Sequence, residues 1–253
     1  AGQAYLARVR PILQEVADAE LVASAHTEEL AGKLRLHAPP VLATNLVAPL
    51  IAPFRELHPQ VQLELEVDGV GEPPFEEFDL TFVAVREGFD AAVVARKVIE
   101  SEAILVASPA YARRRGLPRD PEQLAQHDVL KLRSAGARSR LWRLWRADAP
   151  QEPLDLELEP VLAANHTDTL LRAVMDGAGI SSMPLDLAAP HLASGALVRV
   201  LAPWITGHGT VYAVLPSRRF IPQRTRVFLD FAVERTRAIS ATAVEACCAP
   251  EPA

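Results

Sequence analysis

The sequence lacks the features that mark secreted and membrane proteins. Its only cysteines, Cys247 and Cys248, are adjacent, so they cannot link distant parts of the chain and do not point to an oxidising compartment. No apolar run reaches the roughly 18 residues of a membrane-spanning helix, and no basic-then-apolar segment opens the chain. We therefore expect a cytoplasmic protein that makes no contact with a membrane.

Catalytic and metal-binding motifs are also absent from the sequence. The seven histidines are scattered, and none forms a His-x-x-x-His pair. There is no Gly-x-Ser-x-Gly elbow and no phosphate-binding Gly-x-x-x-x-Gly-Lys loop. Gly177-Ala178-Gly179 follows a helical pattern, so it indicates a helix end and not a dinucleotide-binding turn. We expect no enzymatic activity, no metal site and no cofactor.

What the chain does contain is enough apolar material for a sizeable fold. With 253 residues, 49% of them hydrophobic, it can form one large or two medium cores. Its net charge of -6 gives no general attraction to a phosphate backbone, so we do not expect this chain alone to bind DNA. The arginine-rich stretch 138–146 alternates with Leu and Trp, which favours a half-exposed strand over a nucleic-acid contact.

The first 31 residues predict a long amphipathic helix. Apolar residues recur at steps of three and four, at Tyr5, Val9, Ile12, Val16, Ala19 and Ala23. A helix of about 25 residues would be about 38 Å long, more than one small domain can cover. We interpret it as a linker and dimerisation helix; the alternative is a terminal helix packed on its own domain.

A strand-helix-strand unit follows this helix. Leu34 and Leu36 alternate as in a strand, and a helical face then begins at Val41 and ends near His58-Pro59. Alternation returns from Val61 to Val67. Such a unit is typical of a parallel sheet.

These patterns, in this order, resemble LysR-type transcriptional regulators over roughly residues 1–239. The matching motifs are Lys33 to Pro40, Phe54-Arg55-Glu56-Leu57-His58-Pro59, Val61 to Glu66, Glu77-Phe78-Asp79-Leu80, Val94-Ala95-Arg96-Lys97-Val98, Ala107-Ser108-Pro109-Ala110-Tyr111, and Pro190 to Leu197. The proline-rich segment 68–74 departs from the family, because a longer helical connection is common there. The resemblance implies an α/β fold with a two-lobed, periplasmic-binding-protein-like (type 2) effector domain after a long linker helix.

The resemblance also implies a domain organisation. Residues 1–31 would form the linker helix, 33–106 and 209–239 lobe I, and 107–208 lobe II, with chain crossings near Val106 and Gly209. The winged helix-turn-helix that contacts DNA in this family would be missing from this chain. A final helix is expected from Gln223 to about Ala238, and the Ala-, Pro- and Glu-rich residues 240–253 are expected to be disordered.

Several polar residues in lobe II lie where they can cap the start of a helix. Ser108-Pro109 places a hydroxyl at a helix N-cap, which is an alternative to a ligand role for Ser108. Asp120 is expected to cap a short helix, and Thr167 or Asp168 to cap the helix that ends at Gly177. Ile180 to Met183 predicts a short strand that ends at Pro184.

Three strand-to-helix turns are the candidate effector site. Ligands of open parallel sheets lie beyond the strand ends, where helix N-termini present N–H groups. The candidate residues are Pro39, Pro40, Val41, Ser108, Pro109, Asn165, His166 and Thr167, with Met183 and Pro184 at a further strand end. Arg133 or Ser134 would add a contact, unless that segment is a solvated loop.

These donors favour a small anionic or carbonyl-bearing effector. The resemblance implies that the effector binds between the lobes and changes the arrangement of subunits in a homodimer or homotetramer, with DNA bound through the missing domain. The alternative function is a solute-binding receptor of a transporter, which would share the fold.

Overall fold

The computed structural model describes residues 5, 9, 30–69, 75–85, 94–133, 140–146, 149–216 and 221–248, with the backbone alone at 149–151 and 238–248. Among these residues lie ten strands: β1 (Gly32–Ala38), β2 (Val61–Val67), β3 (Leu80–Val85), β4 (Val94–Ala107), β5 (Val129–Leu132), β6 (Leu141–Arg146), β7 (Ala149–Glu157), β8 (Leu162–Ala164), β9 (Ile180–Pro184) and β10 (Val198–Leu215). They form one continuous sheet in the order β2-β1-β3-β10-β4-β9-β5-β8, in which β6 pairs with β10 and with β7.

Within the described residues from 30 onward, five helical segments pack against this sheet. They are α1 (residues 40–57), α2 (Pro109–Arg115), α3 (Thr167–Met175), α4 (Leu185–Ala193) and α5 (Gln223–Cys248), and a short 3-10 helix spans Pro121–Gln126. Helix α1 has an α-helical start at Pro40–Leu42, a π-helical turn at Ala43–Val47 and an α-helical remainder at Ala48–Leu57. Because Pro49 has no N–H to donate, the usual hydrogen-bond pattern is interrupted, and the Ala48 N–H donates to Ala43 O five residues back.

The predicted strand-helix-strand unit is confirmed. Strands β1 and β2 are parallel, with Leu34 opposite Leu63 and Leu36 opposite Leu65. Leu34 and Leu36 are fully buried in the first hydrophobic core. That core also holds Phe54 of α1, whose ring meets the ring of Phe228 of α5 edge-on, with centroids 4.9 Å apart. The packing of α1 and α5 on one face of the sheet builds lobe I.

Lobe II has a core on each face of its part of the sheet. Ile104 and Val106 of β4 face one core, which includes Leu130, Val174 and Met183. Leu105 and Ala107 face the other core, with Tyr111, Trp142 and Leu144. Since successive side chains of a strand point to opposite faces, this alternation fixes β4 as a central strand that is buried on both sides.

The two long strands β4 and β10 pass through both lobes as an antiparallel pair. In β4, Ile99 packs in the core of lobe I and Ile104 in a core of lobe II; in β10, Ile205 packs in lobe II and Val211 in lobe I. The crossing in β4 therefore lies a few residues before the predicted position near Val106. The crossing in β10 includes the predicted position near Gly209.

The end of the chain differs from the sequence-based expectation. Helix α5 continues to Cys248, whereas an end near Ala238 and a disordered tail from residue 240 were expected. Alanine has the highest helix propensity, and alanines recur at Ala238, Ala241, Ala243 and Ala246. Disorder was expected because the tail has few residues to bury, but helix propensity is enough to explain the helical backbone up to Cys248.

Local helix caps were predicted with mixed success. The Ser108 hydroxyl accepts a hydrogen bond from Tyr111 N at 3.3 Å, and Asp120 Oδ1 accepts one from Gln123 N at 3.0 Å, as expected for both caps. The expected cap of α3 was wrong by at least one residue, because His166 is the N-cap and its side chain makes no capping hydrogen bond.

Some predictions fall largely or wholly outside the described residues. Of the predicted linker helix, the structure describes Tyr5 and Val9, which are both helical, and residues 30 and 31. Ser134, Arg138 and most of the segment 68–74 lie outside the described residues.

Candidate functional site

Strand direction determines which chain segments meet between the lobes. In lobe II, β9 is antiparallel to β4, with Ala103 opposite Pro184, and β5 and β8 run parallel to β9. The carboxyl ends of β5, β8 and β9 therefore lie at the edge of lobe II where β4 enters from lobe I. We call the space between this edge and the first turns of α1 the cleft.

The lobe I side of the cleft is the start of α1. Pro39 is its N-cap, and Pro39 O accepts the Ala43 N–H at 2.9 Å. Because Pro39 and Pro40 carry no N–H, the first backbone donors of this helix belong to Val41 and Leu42. The Val41 side chain is half-buried and packs against the cores of both lobes. The turn Pro39 to Val41 thus lies where the lobes meet.

The loop after β2 lies against this turn. A Cβ added at Gly69 would come within 3.2 Å of Pro40 Cδ. A side chain at position 69 would therefore press on the start of α1, and the glycine keeps the two segments close.

The lobe II side of the cleft is the start of α3. Asn165 is exposed, and His166 and Thr167 are half-buried. His166 Nδ1 lies 2.9 Å from Thr169 Oγ1, and His166 Nε2 lies 3.8 Å from Asp168 Oδ2. The carboxylate in the first turn of α3 is favourable there, because the helix dipole is positive at that end.

A hydrogen bond joins the two sides of the cleft. Asn45 Nδ2, in the π-helical turn of α1, donates to Asp168 Oδ1 at 3.0 Å. The same amide donates to Val41 O at 2.9 Å, one helical turn back. The starts of α1 and α3 are therefore close neighbours, and the structure brings Pro39 to Val41 together with Asn165 to Thr167.

Two further predicted residues lie at this edge of lobe II. Arg133 N donates to Ala164 O at 2.7 Å, which places the exposed Arg133 beside Asn165. Pro184 is half-buried at the end of β9. Met183, in contrast, is fully buried and belongs to a core of lobe II.

Ser108 and Pro109 lie at the other end of lobe II. They follow the carboxyl end of β4, which points away from the cleft because β4 runs opposite to β9. Ser108 is 2% exposed, and a Cβ added at Gly177, just after the end of α3, would lie 3.6 Å from Ser108 Oγ. The structure thus supports capping for Ser108, and we leave both residues out of the proposed site.

Sequence reasoning did not single out several polar side chains near the cleft. Asn45 lies within the helical pattern that begins at Val41, and no local motif marks it. Ser182 Oγ and Thr206 Oγ1 lie 2.5 Å apart, and the Thr206 hydroxyl donates to Ala103 O at 3.2 Å, where β4 and β10 cross between lobes. Thr206 lies at a register shift between Ile205 and Gly207, which marks a β-bulge that sequence alone does not reveal.

Two buried polar atoms lie near the start of α1. His37 and Thr81 are register neighbours on β1 and β3, and they are 5% and 0% exposed. Neither His37 Nδ1 nor Thr81 Oγ1 has a hydrogen-bond partner in the described part of the chain. Such atoms cost stability, so these two positions are not optimised for folding alone.

Two negative findings apply to the described residues. No group of three or more His, Cys, Asp and Glu side chains among them is placed to hold a metal ion. Within the same ranges, no helix combines the length and the apolar character needed to cross a bilayer.

Comparisons with known proteins agree with this architecture. The family model described as the LysR substrate binding domain matches residues 27–237. The regulator PtxR of Pseudomonas aeruginosa is 33% identical over 208 residues, which are 80% of this chain and 64% of PtxR. The regulator CrgA of Neisseria meningitidis serogroup C is 31% identical over 236 residues, 92% of this chain and 77% of CrgA.

A solved structure supports the same assignment. CrgA, titled as a LysR-type transcriptional regulator from Neisseria meningitidis, matches with a TM-score of 0.71 and 28% identity, over 90% of this chain and 76% of CrgA. The predicted two-lobed, periplasmic-binding-protein-like fold of type 2 is confirmed. These relatives are named as transcriptional regulators and not as transporter receptors, so the alternative function is not supported. The chain spans about two thirds of the length of PtxR. It belongs to the LysR substrate-binding-domain family, the effector-binding part of LysR-type transcriptional regulators.

Proposed function

We propose that this chain is the effector-sensing and oligomerising region of a LysR-type DNA-binding transcription regulator, and that a small organic molecule binds in the cleft. The observation that carries the proposal is the meeting of two helix starts, α1 at Pro39 to Val41 and α3 at Asn165 to Thr167, across the cleft. Both helices direct their first-turn N–H groups toward the same space.

The chemistry of these helix starts favours an effector with a carbonyl or carboxylate group. The α3 N-cap makes no side-chain capping bond, so its first-turn N–H groups keep their capacity to donate. His166 and Arg133 lie beside this turn and supply further donors. Each helix dipole adds about 0.3 to 1 kcal/mol for a negative charge at such a position.

The response would be a shift in lobe arrangement. The chain passes between the lobes twice, once in β4 and once in β10. This pair of crossings lets the lobes close about a hinge. An effector that binds one arrangement better shifts the population toward it, and the shift is limited by its differential affinity. In the whole regulator, this change would be passed through the linker helix to a DNA-binding domain outside this chain.

The partners of the whole regulator follow from the same proposal. They are the effector, identical subunits in a homodimer or homotetramer, and DNA bound through a winged helix-turn-helix; the regulator would act in the cytoplasm and would not be an enzyme. Native mass spectrometry of the purified chain tests the assembly. Dimers or tetramers support the proposal, and a monomer at all concentrations contradicts the oligomerising role.

Effector binding is tested with a panel of small organic acids and amides in a thermal-shift screen, followed by calorimetry on the best ligand. His166→Ala should weaken that ligand about ten-fold, because a polar contact is lost. His191→Ala is the matched control, since His191 lies in the last turn of α4, away from the strand ends that form the cleft. Equal affinity in the wild type and His166→Ala would contradict the site.

A further inference from the structure

The contact between Asn45 and Asp168 has the geometry of a specific tether. The two residues are 123 positions apart in sequence, one in each lobe, and Asn45 Nδ2 lies 3.0 Å from Asp168 Oδ1. The acceptor is a carboxylate, and hydrogen bonds to ionised groups are stronger than those between neutral partners. On the cleft side this bond adds to the packing of Val41 against the cores of both lobes. Elsewhere, α4 of lobe II packs against α5 of lobe I, and β4 and β10 link the lobes through the backbone.

The fold around Asn45 prepares its amide for this contact. The π-helical turn Ala43–Val47 carries Asn45, and the second N–H of the amide donates to Val41 O at 2.9 Å. With both amide hydrogens committed, the side chain is held in one orientation. Single π-turns within α-helices occur frequently at functional sites.

Asp168 is prepared in a similar way. It lies in the first turn of α3, where the helix dipole favours its charge, and its side chain is 27% exposed. Its second oxygen, Oδ2, is 3.8 Å from His166 Nε2. The carboxylate therefore occupies the region between α1 and α3 that the proposed function assigns to the effector.

We propose that the Asn45–Asp168 hydrogen bond is a latch that holds the lobes together in the effector-free chain, and that an effector entering between α1 and α3 replaces it. The second half of this statement rests on the proposed function; the first half does not. The latch makes the effector-free arrangement a defined state and not an average over many lobe positions.

The latch is tested without any effector by measuring an interlobe distance. Spin labels are attached to cysteines introduced at Glu56 of α1 and Ala125 of the 3-10 helix, both exposed, in a background with Cys247 and Cys248 replaced by serine. Dilution with unlabelled protein isolates the distance within one chain. Pulsed electron paramagnetic resonance then gives the distance distribution.

Asn45→Ala and Asp168→Ala should each broaden the distribution and move it to longer distances. Because Asn45 is exposed, loss of this hydrogen bond should lower the ratio of latched to open molecules by about two- to five-fold. The double variant Asn45→Asp/Asp168→Asn exchanges donor and acceptor, so it should restore much of the original distribution, although the bond to Val41 O is lost. Asp176→Ala is the matched control, because Asp176 pairs with Arg172 within lobe II.

The distance distributions of the variants distinguish a latch from an incidental contact. Broadening in both single variants with recovery in the double variant supports the latch. Unchanged distributions in both single variants overturn it, as does equal broadening in Asp176→Ala or a double variant that stays as open as the single ones. The failure of the screened ligands to bind would count against the proposed function alone, since the distances are measured without a ligand.

Discussion

Replacing Gly179 with alanine should destabilise lobe II far more than the loss of a surface glycine. A Cβ at position 179 would lie 2.2 Å from Asp128 O and 2.5 Å from Leu130 Cδ1. Ile180 N donates to the same Asp128 O at 2.8 Å, and Ile180 begins β9 beside β5. The alanine must therefore push β9 away from β5 by roughly 1 Å, which weakens that hydrogen bond.

The cost follows from two terms. Overpacking of a well-packed core costs about 1 to 3 kcal/mol, and the loss of one backbone hydrogen bond adds about 1 kcal/mol. A total of about 3 kcal/mol corresponds to a fall in Tm of roughly 6 to 12 °C for a chain of this length. Circular dichroism during heating and urea titration measures both quantities.

The control is Gly195→Ala. Gly195 has a φ of +72°, and a Cβ at this position would meet no atom of the described residues within 4 Å. This variant tests backbone strain alone, which costs about 1 to 2 kcal/mol. If Gly179→Ala unfolds at the same temperature as Gly195→Ala, the described contact between β5 and β9 is wrong.

Three further substitutions test separate features. Thr81→Val should raise the free energy of unfolding by about 1 kcal/mol, because it removes a buried hydroxyl that has no hydrogen-bond partner among the described residues. A loss of stability in urea titration would show that the hydroxyl does have a partner. Ser108→Ala should cost about 1 kcal/mol through the lost cap and leave ligand affinity unchanged in calorimetry, and weaker binding would return Ser108 to the site. Burial first, and then the charge of Arg115, lower the pKa of His127, whose Nδ1 lies 3.1 Å from Tyr111 Oη. His127 therefore takes up a proton on unfolding, and the free energy of unfolding should fall as the pH drops below about 6.5. His127→Asn should flatten this pH dependence. An equal slope of stability against pH in the variant would refute the role of His127.

Local patterns predicted local structure well. The alternation of Leu34 and Leu36 and the helical face from Val41 both reappear as elements, since each depends on a few neighbouring residues. The cap at Ser108 was predicted because capping needs only a hydroxyl and the three residues after it.

The site was harder to predict because it depends on pairing between distant strands. A sequence shows that Ser108 follows a strand, but not that β4 runs opposite to β9 and so carries Ser108 away from the cleft. Likewise, Asn45 meets Asp168 only once both lobes are folded. The bulge and register shifts of β10 also arise from its paired strands, so no local pattern of residues marks them.

The central claim is that the first turns of α1 and α3 form the effector site. Hydrogen exchange measured by mass spectrometry, with and without the ligand found in the screen, tests it most directly. The account predicts slower exchange in peptides that cover residues 40–46 and 166–171. Protection confined to other segments, such as the β6–β7 hairpin or α5, with no change at these two helix starts, would contradict it.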